Sequence, residues 1–126
     1  LILLARLPVA GALFLFWEGF MSAVGRLVMD VLPEFGGEMR RLLLELGEAG
    51  MAAQVAGLRI VEICGCGDDF CSTFYVRERP EGTFGPGHRN VPLEPDEGLV
   101  SLDVVDGVIV CVEVLYREDV GELLAS

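Results

Sequence analysis

A chain of 126 residues has room for one domain with a modest core. Its 20 carboxylates outnumber 9 basic side chains, all of them arginine, for a net charge of −11. A surface this negative repels nucleic-acid phosphate and anionic lipid, which argues against direct DNA or RNA binding and favours a basic protein partner.

Residues 1–32 read differently from the rest. Mean hydropathy is +0.52, and much of that excess comes from the first stretch of the chain. The window Leu7–Gly25 carries one charge, Glu18, and is long enough to span a bilayer. Glu18 near its middle costs about 2.5–3.5 kcal/mol on insertion scales, and Pro8 and the glycines weaken a helix there. Three readings stand: an over-extended start ahead of Met21 and Met29, an apolar helix packed on the domain or a partner, or a membrane or export signal. From Met29 onward seven arginines face 19 carboxylates, so the acidity belongs to the part that folds. The expected division is an apolar segment over 1–28 and an acidic domain over 29–126. The expected location is cytoplasmic, with membrane anchoring or export only through residues 1–28.

Pro33-Glu34 opens a helix, since proline suits the first turn and acids favour its positive end. Met39, Leu42, Leu43 and Leu46 then fall on one apolar face. Gly47 or Gly50 ends it, a second helical turn runs from Met51 to Val55, and Gly57 closes that turn. Leu58 to Cys64 is β-branched and bounded by glycine, which predicts a strand; Ser72 to Arg77 predicts a second. The two form a hairpin with a cysteine-bearing turn at its tip. Residues 79–98, rich in proline and glycine, read as a long loop. Leu99–Val105 and Val108–Tyr116 form the last hairpin about Asp106-Gly107, whose positive φ angles suit a tight turn. Val100, Leu102 and Val104 of its first strand face one way and Ser101 and Asp103 the other; Val110, Val112 and Val114 of its second face the core, with Cys111 and Glu113 opposite. A short helix, Arg117 to Leu124, ends the chain. The fold class expected is α+β: a small antiparallel sheet of about four strands with N- and C-terminal helices on one face.

The run CGCGDDFCSTFYV, followed by GHRNVPLEP and LVSLDVVDGVIVCVEVLYRED, resembles small bacterial proteins of unknown function that share a cysteine turn and a terminal hairpin. The resemblance covers residues 34–124. It implies a fold and carries no activity with it.

The cysteine turn is the most chemically loaded segment. Zinc takes four tetrahedral ligands of sulfur, nitrogen or oxygen, and glycines between ligands let the backbone curl around an ion. Cys64, Cys66 and Cys71 supply three; the fourth would be His88, Cys111, Asp68 or Asp69. Against this, paired Cys-x-x-Cys knuckles are lacking. The plainer reading is a hairpin turn whose thiols only pack. A Cys66–Cys71 or Cys64–Cys71 disulfide is the redox alternative. A nucleophilic Cys71 or Cys66 would need His88, the one histidine, as its base, and Asp68 and Asp69 would raise a thiol pKa. Cys111 reads as a packing residue. The leading functional expectation is a non-catalytic interaction module with a basic partner and sheet edges available for pairing, or with a second copy associating through the terminal strand or the apolar N-terminus. A small zinc protein using the cysteine turn is the alternative, and a thiol enzyme using cysteine and His88 comes third.

Overall fold

The computed structural model describes residues 23–126. The readings of the apolar N-terminal stretch as leader, anchor or excess sequence fall on residues 1–22, outside those described. Ala23 and Val28 are buried in the core. Gly25 N–H donates to the Ile60 carbonyl at 2.7 Å, and Val28 N–H to the Leu58 carbonyl at 2.8 Å. The packed unit therefore reaches back to Ala23, ahead of the Met29 boundary drawn from composition.

The elements in chain order are α1 (Val28–Val31), α2 (Pro33–Glu45), α3 (Ala49–Gln54), a 3-10 turn (Val55–Gly57), β1 (Glu62–Ile63), β2 (Phe74–Tyr75), β3 (His88–Pro92), β4 (Leu99–Val105), β5 (Val108–Leu115) and α4 (Glu118–Ala125). Helix α2 begins at Pro33 and buries Phe35, Met39, Leu42 and Leu43. Its end is set by Gly47, at φ +79. Gly47 N–H donates to the Leu44 carbonyl at 3.0 Å and Glu48 N–H to the Leu43 carbonyl at 2.9 Å, the paired bonds of a Schellman cap. Gly36 lets α1 approach α2, because a Cβ there would strike the Met29 sulfur.

The sheet is antiparallel, in the order β1-β2-β5-β4-β3. Helices cover one face, where the Phe35 ring of α2 meets Phe74 edge-on at 6.5 Å. At the end of α3, Gln54 donates to the Gly107 carbonyl at 2.7 Å and accepts the Ile109 N–H at 2.9 Å. Arg117, 7% exposed, ties α4 back to α2: its guanidinium grips both Glu38 oxygens at 2.8 and 3.0 Å, both Asp119 oxygens at 2.9 and 3.0 Å, and the Glu97 carbonyl at 3.3 Å. All five of its N–H donors are used, and the group lies 5.4 Å from the Phe35 ring centre.

The α+β class with a small antiparallel sheet is as expected. Details differ: β3 lies inside the segment read as loop, giving five strands; only Val91 of its side chains is buried, so no apolar alternation marks it. The strand expected from Leu58 shrinks to Glu62–Ile63, since Leu58 and Ile60 bond to residues 25–28 instead. And the terminal strand β5 is internal, between β2 and β4; the edges are two-residue β1 and β3, which ends on Pro92. Proline cannot donate to a ladder, so that edge is blunted against pairing.

The last hairpin turns at Asp106 (φ +50) and Gly107 (φ +82), a two-residue turn of the primed kind. Val104 then pairs with Ile109, but Asp103 pairs with Cys111, so Val110 is an extra residue. This bulge exchanges the expected faces at one position: Ile109, Val112 and Val114 are fully buried, and Val110 is only half-buried.

Candidate metal centre

The turn from Cys64 to Cys71 is held from both flanks. Cys64 N–H donates to the Thr73 carbonyl at 2.9 Å, and Cys71 bridges antiparallel to Leu115 of β5. Within the turn Cys71 N–H donates to the Asp68 carbonyl at 3.1 Å, and Gly67 takes φ +82, a left-handed position open to glycine. The registers of β1, β2 and β5 set Cys64 opposite Thr73, Thr73 opposite Glu113, and Cys71 opposite Leu115, on the face away from the helices.

This closure brings the Cys64, Cys66 and Cys71 sulfurs within 4.8 Å of one another, close enough to hold one metal ion. Thiolates at about 2.3 Å from a tetrahedral zinc lie about 3.8 Å apart, which this spacing admits. All four cysteines are free thiols, with Cys66 exposed, Cys64 and Cys71 half-buried and Cys111 buried.

The three sulfurs are not equivalent. At Cys71 burial disfavours the thiolate, yet hydrogen bonds from the Thr73 hydroxyl and N–H and from the Cys66 and Cys64 thiols outweigh it and lower the pKa. At Cys66 the Asp68 N–H favours the thiolate, but its proton is shared with Cys71 and the Cys64 sulfur lies beside it, so the thiol is pushed up to about 11. Of the two, Cys71 is thus the sulfur whose thiolate is favoured, and Cys66 is the exposed donor. Asp68 acts on this site through its backbone N–H, in the opposite sense to the carboxylate effect expected from sequence. Donors aimed at sulfur in this way steady metal-bound thiolates.

His88 is not brought to the turn. It starts β3, at the far edge of the sheet from β1, and its Nε2 lies 2.8 Å from Asp103 Oδ1. Phe84 stacks on the ring at 4.7 Å. The Cys–His pairing needed by a thiol enzyme is therefore not formed. Cys111 sits on β5, 2% exposed, and burial with the Asp103 and Glu113 charges beside it drives its pKa far up, which suits a packing residue. Asp68 and Asp69 lie in the turn itself and are exposed.

Two features escape a reading of residues in sequence. Thr73 orients Cys71, as above. Asp103 and Glu113 form a hydrogen-bonded carboxyl pair on the same sheet face: burial opposes the Asp103 charge, but Glu113, His88 and Asn90 together hold its pKa down. The protonated Glu113 carboxyl donates a hydrogen bond to Asp103, and with burial and the Asp103 charge this pushes its pKa up to about 7. Ser101 Oγ donates to Glu113 at 3.4 Å.

No family model, curated protein or solved structure matches the chain. Among the described residues no helix is long and apolar enough to cross a membrane.

Proposed function

We propose that this protein binds one thiophilic metal ion, zinc fitting best, through Cys64, Cys66 and Cys71. The observation that carries the reading is the convergence of three sulfurs within 4.8 Å at the tip of a clamped hairpin. The hydrogen bonds that favour the Cys71 thiolate, and the spacing compatible with a tetrahedral ion, support it. Soft sulfur ligands select zinc or copper(I) over the hard ions magnesium and calcium.

Three protein ligands leave a fourth position, open to water or to a group from outside the chain. When bound, the ion supplies a cross-link between the two arms of the hairpin. The residues' own work is distinct: Gly67 permits the curl, and Asp68 N–H and the Thr73 hydroxyl hold two sulfurs in place, the latter favouring the Cys71 thiolate.

The test is metal content of the chain purified without chelator, beside a Cys66→Ser variant. About one zinc per chain, lost in the variant, supports the reading; a metal-free protein that takes up none on addition of zinc overturns it.

A further inference from the structure

A groove between the cysteine turn and α4 combines an exposed aromatic pair with an acidic rim. The Phe70 and Tyr116 rings stack at 5.1 Å with planes 19° apart, yet they stay 42% and 62% exposed. Tyr116 holds its place at φ +61, a conformation that disfavours any side chain, with its N–H donated to the Phe70 carbonyl at 2.8 Å. Asp69, Glu97, Glu118 and Glu122 line the same groove. Among the described residues none of these four carboxylates has an arginine partner. Arg117, the one basic residue of the lining, is spent on Glu38, Asp119 and the Glu97 carbonyl.

We propose that this groove binds an arginine side chain presented by a basic polypeptide segment, its guanidinium over the Phe70–Tyr116 stack and its N–H donors on the rim carboxylates. Guanidinium is planar and weakly hydrated, so it suits an aromatic face and a carboxylate at once. The chain makes the same arrangement twice internally. The Arg79 guanidinium lies 5.5 Å from the Tyr75 ring centre and 3.6 Å from Glu62, and Arg117 lies over Phe35 while gripping Glu38. In the groove the aromatic face and the carboxylates are present and the cation is the missing part. A second copy of the chain, at −11, would approach against its own charge, whereas a basic segment is drawn in. The inference needs neither metal nor thiol chemistry.

The test is anisotropy of a dye-labelled peptide of arginines spaced by Gly-Ser, titrated with the full chain, beside its citrulline counterpart. Tyr116→Gly removes the ring and suits the positive φ, so the fold is kept. The expected result is saturable binding of the arginine peptide alone, weakened about three- to tenfold by Tyr116→Gly and by Glu97→Gln/Glu122→Gln. The exposed pair Glu45→Gln/Glu81→Gln, outside the groove lining, removes the same charge and should leave affinity within about twofold. No saturable binding, Tyr116→Gly binding like wild type, or the pair outside the lining weakening as much as the rim pair would each overturn it. A dimer that Tyr116→Gly dissociates, with no peptide bound, would also overturn it, by making a second copy the occupant.

Discussion

The Thr73 hydroxyl accepts the Val114 backbone N–H at 3.1 Å, and that bond turns its own proton toward Cys71. One side chain thus fastens β2 to β5 and favours the Cys71 thiolate. Thr73→Val keeps the shape and removes both bonds. The Val114 N–H, deeply buried, is left without a partner, which costs about 1–3 kcal/mol of stability by denaturant melt. Cys71 alkylation by iodoacetamide at neutral pH should slow, because its thiolate loses a donor; mass spectrometry of the alkylated peptide reads this directly.

Gly67 is the second control on the turn. At φ +82 a Cβ meets no neighbouring atom, so Gly67→Ala strains only the backbone. The left-handed conformation costs a substituted residue about 1–2 kcal/mol. Because the strain falls on the arrangement that gathers the sulfurs, zinc affinity in a competition titration should drop about 5- to 30-fold. Unchanged affinity would mean that the ion does not need this turn.

The Asp103–Glu113 pair makes stability depend on pH in a set direction. Glu113 is raised from 4.5 to about 7, so its contribution is whole below 4.5, declines as pH rises toward 7, and is gone above. Asp103 is lowered from 3.8, so its contribution is lost as pH falls through that region. The pair is therefore most stabilising in mild acid. Urea melts from pH 5 to 8 should show wild type losing stability relative to Glu113→Gln, whose amide donates to Asp103 at every pH. Parallel curves would contradict the shared proton.

Arg117 is buried and fully hydrogen-bonded, and its removal leaves the half-buried Glu38 without its ion-pair partner. Arg117→Met should cost about 1–3 kcal/mol, less than the full penalty of a buried pair broken from one side, because Glu38 and Asp119 still reach solvent. Restoring neutrality with Glu38→Gln should recover part of that loss in a double-mutant cycle.

What could be read in advance follows from what each element depends on. Helix α2, its glycine stop and the Asp106-Gly107 turn rest on local chemistry, and each appears where periodicity or turn residues placed it. The bulge at Val110 was also within reach. A two-residue turn pairs Val104 with Ile109, so strict alternation would oppose Leu102 to Cys111 and send Val112 to the other face. Only an extra residue lets Ile109 and Val112 share the core. Strand β3 was not legible, because an edge strand with one buried side chain is held by ladder bonds to β4 rather than by its own pattern. The three-cysteine convergence could be guessed from spacing, since the ligands are close in sequence. The Asp103–Glu113 pair and the Phe70–Tyr116 stack arise from inter-strand register and bulge, which no single segment encodes, whereas Thr73 and Cys71, two residues apart on one extended segment, share a face by local alternation. For the same reason His88 looked near the turn along the chain, yet sits at the opposite sheet edge.

The most direct test of the metal reading is cobalt(II) titration of the reduced chain, followed by its thiolate charge-transfer absorption and by displacement with zinc. One equivalent should produce the band, zinc should abolish it, and Cys64→Ser, Cys66→Ser and Cys71→Ser should each weaken it while Cys111→Ser leaves it intact. No thiolate band with cobalt, or a band that survives all three substitutions in the turn, would contradict the assignment of this site.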